Sequence, residues 1–137
     1  MTNLFVYGAL MYDEVWSRIV NAEFRRSKGK ISGYRRLIVK NEEYPGLVEG
    51  EGIVSGCIWY GVDNKNLESL DSFEGEYYER ITDKAIDESG NMVDVHIYSF
   101  KKEFHNLLEN ADWNVEEFEK NGLEKFIKCY VGFDKTT

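Results

Sequence analysis

Short stretches of alternating apolar and polar residues run along most of this 137-residue chain, punctuated by 12 glycines but a single proline. Such a pattern folds into half-buried β-strands joined by turns. Residues 77–86 and 92–100 alternate on either side of Asp87-Glu88-Ser89-Gly90-Asn91, which reads as a hairpin with antiparallel strands. The run Asn3-Leu4-Phe5-Val6-Tyr7 is apolar without alternation and is cut off by Gly8, as in a buried first strand with a tight exit through Tyr7-Gly8-Ala9-Leu10. Residues 24–40 read as one or two strands with the Arg35-Arg36 pair solvated, and residues 53–62 as another strand in which Gly56 marks a bulge or a point of close packing. Between them, residues 42–52 hold Pro45, Gly46, Gly50 and Gly52 and read as a loop.

Helical spacing interrupts this pattern in three places. Asp13 and Glu14 precede Val15, Trp16, Ile19 and Val20, an acidic first turn followed by an apolar face. Asn64 can cap a short helix through Leu67 and Leu70 that stops near Phe73-Glu74-Gly75. Beyond Lys101 the pattern is helical: Asn114 and Glu117 form a capping box, and Asn121-Gly122 marks a stop before residues 123–131. Five or six strands, mostly hairpin-connected, with helices inserted, define an α+β domain; pattern alone leaves open sheet and small closed barrel equally available. With 42% hydrophobic and 15% aromatic residues, the chain can fill one core, and residues 1–137 are expected to form a single domain. Trp16, Trp59 and Trp113 are expected in that core.

The charge balance narrows the partners. Seventeen basic and 25 acidic residues give 17 − 25 = −8, which repels a phosphate backbone and argues against nucleic acid. No apolar run is long enough to cross a membrane, and the first residues carry no basic, signal-like segment. Cys57 and Cys129 form no CxxC pair, so a reduced, cytoplasmic protein is expected. His96 and His105 lie nine residues apart, a spacing that argues against a metal site. No residue pattern signals a particular oligomeric state.

Two segments can carry chemistry. A glycine turn between a strand and a helix leaves several backbone N–H groups unpaired and pointing the same way, so Tyr7-Gly8-Ala9-Leu10 can hold an anion or be a plain tight turn. In Leu70-Asp71-Ser72-Phe73-Glu74-Gly75-Glu76-Tyr77-Tyr78-Glu79-Arg80, acids sit at a helix-to-strand corner among Phe73, Tyr77 and Tyr78. Aromatic walls desolvate a carboxylate and raise its pKa towards neutrality, as proton transfer requires. Glu74 sits at the corner itself, with Asp71, Glu76 and Glu79 as rivals.

Together with GYRRLIV, EYPGLV, VSGCIWYGV, HIYSF and the stretch ADWNVEEFEKNGLEKFIKCY, the segments FVYGALM and LDSFEGEYYER resemble the γ-glutamylcyclotransferase-like superfamily. Within it they are most similar to the branch named after a plant avirulence-induced gene, which includes γ-glutamylamine cyclotransferases. The resemblance implies a small mixed, mostly antiparallel β-barrel flanked by helices, with a cavity whose floor is the loop after the first strand. It also implies cyclisation of a γ-glutamyl amide to 5-oxoproline with release of the amine, without a cofactor. By position, Tyr7, Gly8, Ala9 and Leu10 would bind the γ-glutamyl group through backbone N–H groups, and Glu74 would be the catalytic acid and base. Tyr78 would line the site, and Arg80 would be an ion-pairing strand residue. Ala9 departs from the serine or threonine usual in the family, removing a hydroxyl but no backbone donor. The alternative is a non-catalytic module on the same fold that binds a γ-glutamyl-like ligand. A protein-interaction domain using residues 109–124 would need an exposed apolar stripe, whereas Trp113, Phe118, Leu123, Phe126 and Ile127 read as packing onto the barrel. Arg35, Arg36 and Lys40 read as strand-surface charges, the alternative being that one of them assists a carboxylate-bearing substrate near the cavity mouth against the net charge of −8, and Tyr44-Pro45-Gly46 reads as a turn or a rigid loop near the cavity.

Overall fold

The computed structural model describes residues 1–131. Six strands form one sheet: β1 (Thr2–Val6), β2 (Arg26–Val39), β3 (Pro45–Val62), β4 (Tyr78–Asp87), β5 (Met92–Phe100) and β6 (Leu108–Asp112). Hydrogen bonding runs β3-β1-β5-β4-β2 and then back from β2 to β3, so five strands close a barrel and β6 is added to β2 outside the ring. Only β1 and β5 pair in parallel; every other pair is antiparallel. The fold is therefore α+β, a small mixed barrel flanked by helices.

The unbroken apolar run of β1 has its explanation in burial on both faces, since a strand covered on both sides needs no polar alternate. Phe5 and Tyr7 pack with Ile31, Leu47, Ile58 and Ile97 inside the barrel. Leu4 and Val6 face the opposite way, into a second apolar layer with Trp16, Trp59 and Leu70. Trp16 and Trp59 stack at 4.1 Å between ring centroids, and Trp113 is buried in the same layer.

Of the expected loop over residues 42–52, only 42–44 lie outside the sheet and 45–52 are strand: β3 opens at Pro45 and pairs with β2 from Ile38↔Pro45 to Arg26↔Trp59. A proline at a strand's first position costs little of the ladder, and the glycines serve close approach rather than turning. A Cβ on Gly46 would lie 2.8 Å from Leu108 Cδ2 and 2.9 Å from Phe100 Cδ1, and one on Gly52 would lie 2.9 Å from the Tyr34 carbonyl oxygen. Gly56 is a point of close packing, since a Cβ there would collide with the Val6 carbonyl oxygen and lie 2.8 Å from Phe5 Cζ. Within residues 24–40 there is one strand, β2 (Arg26–Val39), whose register shifts across Gly33 at φ +87.

After Lys101 a 3₁₀ segment, Lys102–Leu107, leads into β6 rather than into a helix. β6 is short, polar and mostly exposed, so nothing in its own pattern marks it; pairing with β2 at Leu37↔Asp112 and Val39↔Leu108 makes it a strand.

α1 spans Asp13–Ile19 and α2 spans Asn64–Glu74. The N-cap of α2 is Asp63 rather than Asn64; its Oδ1 accepts a 2.7 Å bond from Asn66 Nδ2. Gly75 ends α2 at φ +81, the left-handed conformation that glycine adopts without penalty. Asn114 caps the following helical run as expected, its Oδ1 accepting from the Glu117 N–H at 2.8 Å. That run does not stop at Asn121-Gly122 but continues over residues 115–131, alternating α turns with π turns at Phe118–Gly122 and Ile127–Val131. Gly122 stays in helical geometry at φ −95 and ψ −35, and is glycine because a Cβ would lie 2.8 Å from both Phe118 Cδ1 and Glu43 Oε2. Among the described residues no helix is long and apolar enough to cross a membrane.

The contact at Gly56 involves backbone on the other side, which cannot rotate away. Gly56→Ala is expected to lower stability by about 3 kcal/mol, whereas Ile53→Ser, at a site 69% exposed on the same strand, changes it by less than about 0.5 kcal/mol. Urea denaturation of the two variants side by side checks both values.

Candidate functional site

A cavity of about 400 Å³ opens between the end of β1, the C-terminus of α2 and the start of β4. Its wall contains Tyr7, Gly8, Ala9 and Leu10 on one side and Glu74 and Tyr78 on another, so the fold brings all six sequence-derived candidates to one space. Tyr44, Phe73, Tyr77 and Phe126 supply an aromatic lining, and Glu74 and Glu76 are the charged residues of the described wall.

The loop after β1 tightens into a 3₁₀ turn, Ala9–Met11. Its closing bonds run from the Met11 N–H to the Gly8 carbonyl and from the Tyr12 N–H to the Ala9 carbonyl, at 3.0 and 3.1 Å. The preceding amides, Gly8, Ala9 and Leu10, therefore have no acceptor within this turn, as at any helical N-terminus. Tyr7 is held at both ends: its hydroxyl donates to the Tyr98 carbonyl at 2.6 Å, and its own carbonyl accepts from Arg36 Nη1 at 2.9 Å. Pro45 closes over Gly8 so tightly that a Cβ there would lie 2.9 Å from the ring carbons Cγ and Cδ. Tyr78 in turn donates to the Pro45 carbonyl at 2.7 Å. Tyr44-Pro45-Gly46 is thus a rigid piece of the cavity wall, and both the Tyr7 and Tyr78 phenols have committed their protons to backbone carbonyls. Burial, with smaller contributions from neighbours that include the Glu74 carboxylate, pushes both phenols well above their usual range.

Glu74 is the last residue of α2, a half-buried acid whose carboxyl is pushed up to about 8, first by burial and then by the Asp71 carboxylate. Its position acts in the same direction, because the unpaired carbonyls at a helix C-terminus disfavour a nearby negative charge. The rival acids are placed otherwise. Asp71 is engaged by Arg80, with Nε to Oδ1 at 3.0 Å and Nη2 to Oδ2 at 3.2 Å, and Tyr98 donates its hydroxyl to Asp71 Oδ1 at 2.6 Å. Arg80 also meets His96 Nδ1 through Nη1 at 2.6 Å. Glu79 is exposed on β4 outside the cavity wall, and Glu76 is exposed at its edge. Arg80 is an ion-pairing strand residue, as its position implies.

Two participants are invisible to pattern reading. Tyr98 reaches the site because the hairpin register places it opposite Arg80. Arg36, read as a solvated surface charge, is instead half-buried, donating from Nη1 to the carbonyls of both Tyr7 and Ser55 with its guanidinium 5.3 Å from the Trp113 ring centre. Arginine is solvated so often that only the fold distinguishes this one from Arg35. Among the described residues no group of three or more His, Cys, Asp or Glu is arranged to hold a metal ion, and Cys57 and Cys129 are free thiols.

Comparison with known proteins agrees with this architecture. The chain is 28% identical to AIG2-like protein D of Arabidopsis thaliana over 97% of its own length and 89% of that protein's. It is 31% identical over 70% of its length to a protein of Methanocaldococcus jannaschii named gamma-glutamylcyclotransferase and putative RNase, of which it spans 45%. The solution structure of an Arabidopsis thaliana protein superposes with a TM-score of 0.74 at 28% identity, covering 98% of this chain and 81% of that one. The model of the family described as gamma-glutamyl cyclotransferase, AIG2-like, matches residues 4–115, from the middle of β1 to the start of the last helical run, and the chain belongs to that family.

Proposed function

We propose that this protein cyclises a γ-glutamyl amide to 5-oxoproline and releases the amine, with Glu74 carrying the protons. The observation that carries the reading is a desolvated carboxyl, pushed up to about 8, in one cavity with a turn whose first amides have no acceptor within it. The family's description and the name of the Methanocaldococcus jannaschii relative support the same chemistry.

In this reading the α-nitrogen of the substrate attacks its own γ-carbonyl carbon. The new C–N bond closes a five-membered ring, and the carbonyl oxygen becomes an oxyanion until the bond to the leaving amine breaks. The amides of Gly8, Ala9 and Leu10 hold the substrate's α-carboxylate and the developing oxyanion, for which each well-aimed donor contributes about 2.7–4 kcal/mol. Ala9 contributes its amide here and needs no hydroxyl. Between an α-ammonium reactant and a protonated leaving amine, two protons leave the ring nitrogen and two reach the departing one. A single carboxyl passes them in turn, and a pKa near neutrality keeps both directions of transfer inexpensive. The substrate's own cation, when it arrives, favours the Glu74 carboxylate and so prepares the base. The cavity supplies the remainder by folding the substrate so that nitrogen and carbonyl meet.

The test is 5-oxoproline release from a panel of γ-glutamyl amino acids, γ-glutamyl amines and γ-glutamyl-ε-lysine. Glu74→Gln is expected to fold, retain ligand binding and turn over at least about a hundredfold more slowly. Release unaffected by that substitution removes Glu74 from the mechanism, and no release from any substrate favours the binding module instead.

Two consequences of the raised pKa are measurable. The base must be ionised in the free protein, so kcat/KM is expected to climb with pH and level off above about 8. Stability moves the other way: folding raises the carboxyl from its usual 4.5 to about 8, so the folded state holds the proton more tightly than the unfolded chain does. That contribution is complete below about pH 4.5 and is lost as the pH rises to about 8. Glu74→Gln has no proton to lose, so its stability relative to the unsubstituted protein is expected to improve by a few kcal/mol from about pH 5 to about pH 9. Parallel stability curves over that range would contradict the desolvated carboxyl.

A further inference from the structure

Arg36 sits behind the loop rather than in the cavity wall. Its Nη1 spans two carbonyls, Tyr7 at 2.9 Å and Ser55 at 3.1 Å, tying the exit of β1 to β3. We infer that Arg36 is a positioning residue that aims the Gly8 amide into the cavity. This rests on the reading of the loop as the donor set for a γ-glutamyl group.

The geometry follows from the planar trans peptide, in which the carbonyl of one residue and the N–H of the next point in opposite directions. Tyr7 and Gly8 line the cavity and Arg36 does not, so a Tyr7 carbonyl held towards Arg36 turns the Gly8 N–H to the other side, where the cavity lies. Glycine at position 8 leaves the two backbone dihedrals of this residue freer than any other side chain would, so the orientation of the amide needs an external tether. Pro45 restrains the α-carbon by packing, and the tyrosine hydroxyl restrains the side chain; among the described residues it is the arginine that restrains the carbonyl. The guanidinium is itself fixed, by its second carbonyl at Ser55 and by the Trp113 ring 5.3 Å away. Charge-assisted donation makes this a stronger tether than a neutral side chain would supply. Its neighbour Arg35 serves no such purpose: its guanidinium makes a 3.7 Å ion pair with exposed Asp112.

The experiment compares Arg36→Met, which keeps an apolar stem beside Trp113, with Arg36→Lys, which keeps one charged donor, and with Arg35→Met as the control. Amide hydrogen exchange in the ligand-free proteins is the first readout. Arg36→Met is expected to speed exchange at Met11 and Tyr12, whose N–H groups close the turn, by about tenfold or more while leaving the β4–β5 ladder unchanged, and Arg35→Met is expected to change neither. Unchanged exchange in the loop, or faster exchange everywhere, would overturn the assignment, the latter because it would mean general destabilisation. Turnover is the second readout. A mis-aimed donor costs up to about a hundredfold, so kcat is expected to fall by about 10- to 100-fold in Arg36→Met and to recover in part in Arg36→Lys. Loss in the lysine variant as complete as in the methionine variant, or full activity in both, would also overturn it. If the unsubstituted protein releases no 5-oxoproline, the cyclotransferase reading fails, and the exchange comparison alone decides whether Arg36 holds the loop.

Discussion

Everything in this molecule that bears on chemistry hangs from the way β1 is gripped. It pairs on one edge with β3 and on the other, in parallel, with β5, and its two faces go into two different apolar layers. A strand with no free edge and no exposed face has a fixed end, and the end of β1 is where the Tyr7 to Leu10 loop begins. Backbone amides bind anions well only if their directions are set in advance, since reorienting them on binding would cost the free energy they supply. The barrel sets these directions through Tyr7, whose hydroxyl, carbonyl and ring are all engaged before any ligand arrives.

The other half of the site depends on the end of a helix. Gly75 stops α2 in a left-handed turn, and this turn carries the chain round to β4 at Tyr78. Glu74 therefore stands where three effects disfavour its charge: burial, the Asp71 carboxylate and the helix C-terminus. The Arg80 guanidinium on Asp71 offsets part of the second of these, because it partners the Asp71 carboxylate. One acid is thus held by an ion pair, and its neighbour one turn on has none among the described residues. The division of labour between Asp71 and Glu74 follows from which of them the β4 strand reaches.

How much of this was legible in the residues varied with the origin of each feature. β1, the β4–β5 hairpin and the stop of α2 at Gly75 are written locally, in an apolar run, in alternation across a turn and in a helix terminator. The first half of β3 is not, because its Pro45 and glycines have the composition of a loop; they are there since the Phe100 ring, the Leu108 side chain and the Tyr34 carbonyl leave no room for a Cβ. β6 is polar and exists only through its pairing with β2, and Gly122 looks like a helix stop because the ring of Phe118 and the carboxylate of Glu43, which demand a glycine there, are contributed by the fold. The capping position is one residue earlier than Asn64, at Asp63, whose carboxylate is bound by the Asn66 side chain.

The same distinction applies to the site. The choice of Glu74 over Asp71, Glu76 and Glu79 rested on the family resemblance, but the corner that holds it could be found because Phe73, Tyr77 and Tyr78 are its neighbours in the chain. Arg36 could not, since what makes it differ from Arg35 is the Tyr7 carbonyl 29 residues away and the Ser55 carbonyl 19 away. A strand alternates its side chains between faces, so two adjacent arginines must part company, one to each side. Here Arg36 reaches the loop after β1, and Arg35 reaches Asp112 of β6. An arginine pair at a strand position is therefore ambiguous in sequence for a structural reason, and the tertiary arrangement resolves it by giving one member of the pair two backbone oxygens to hold.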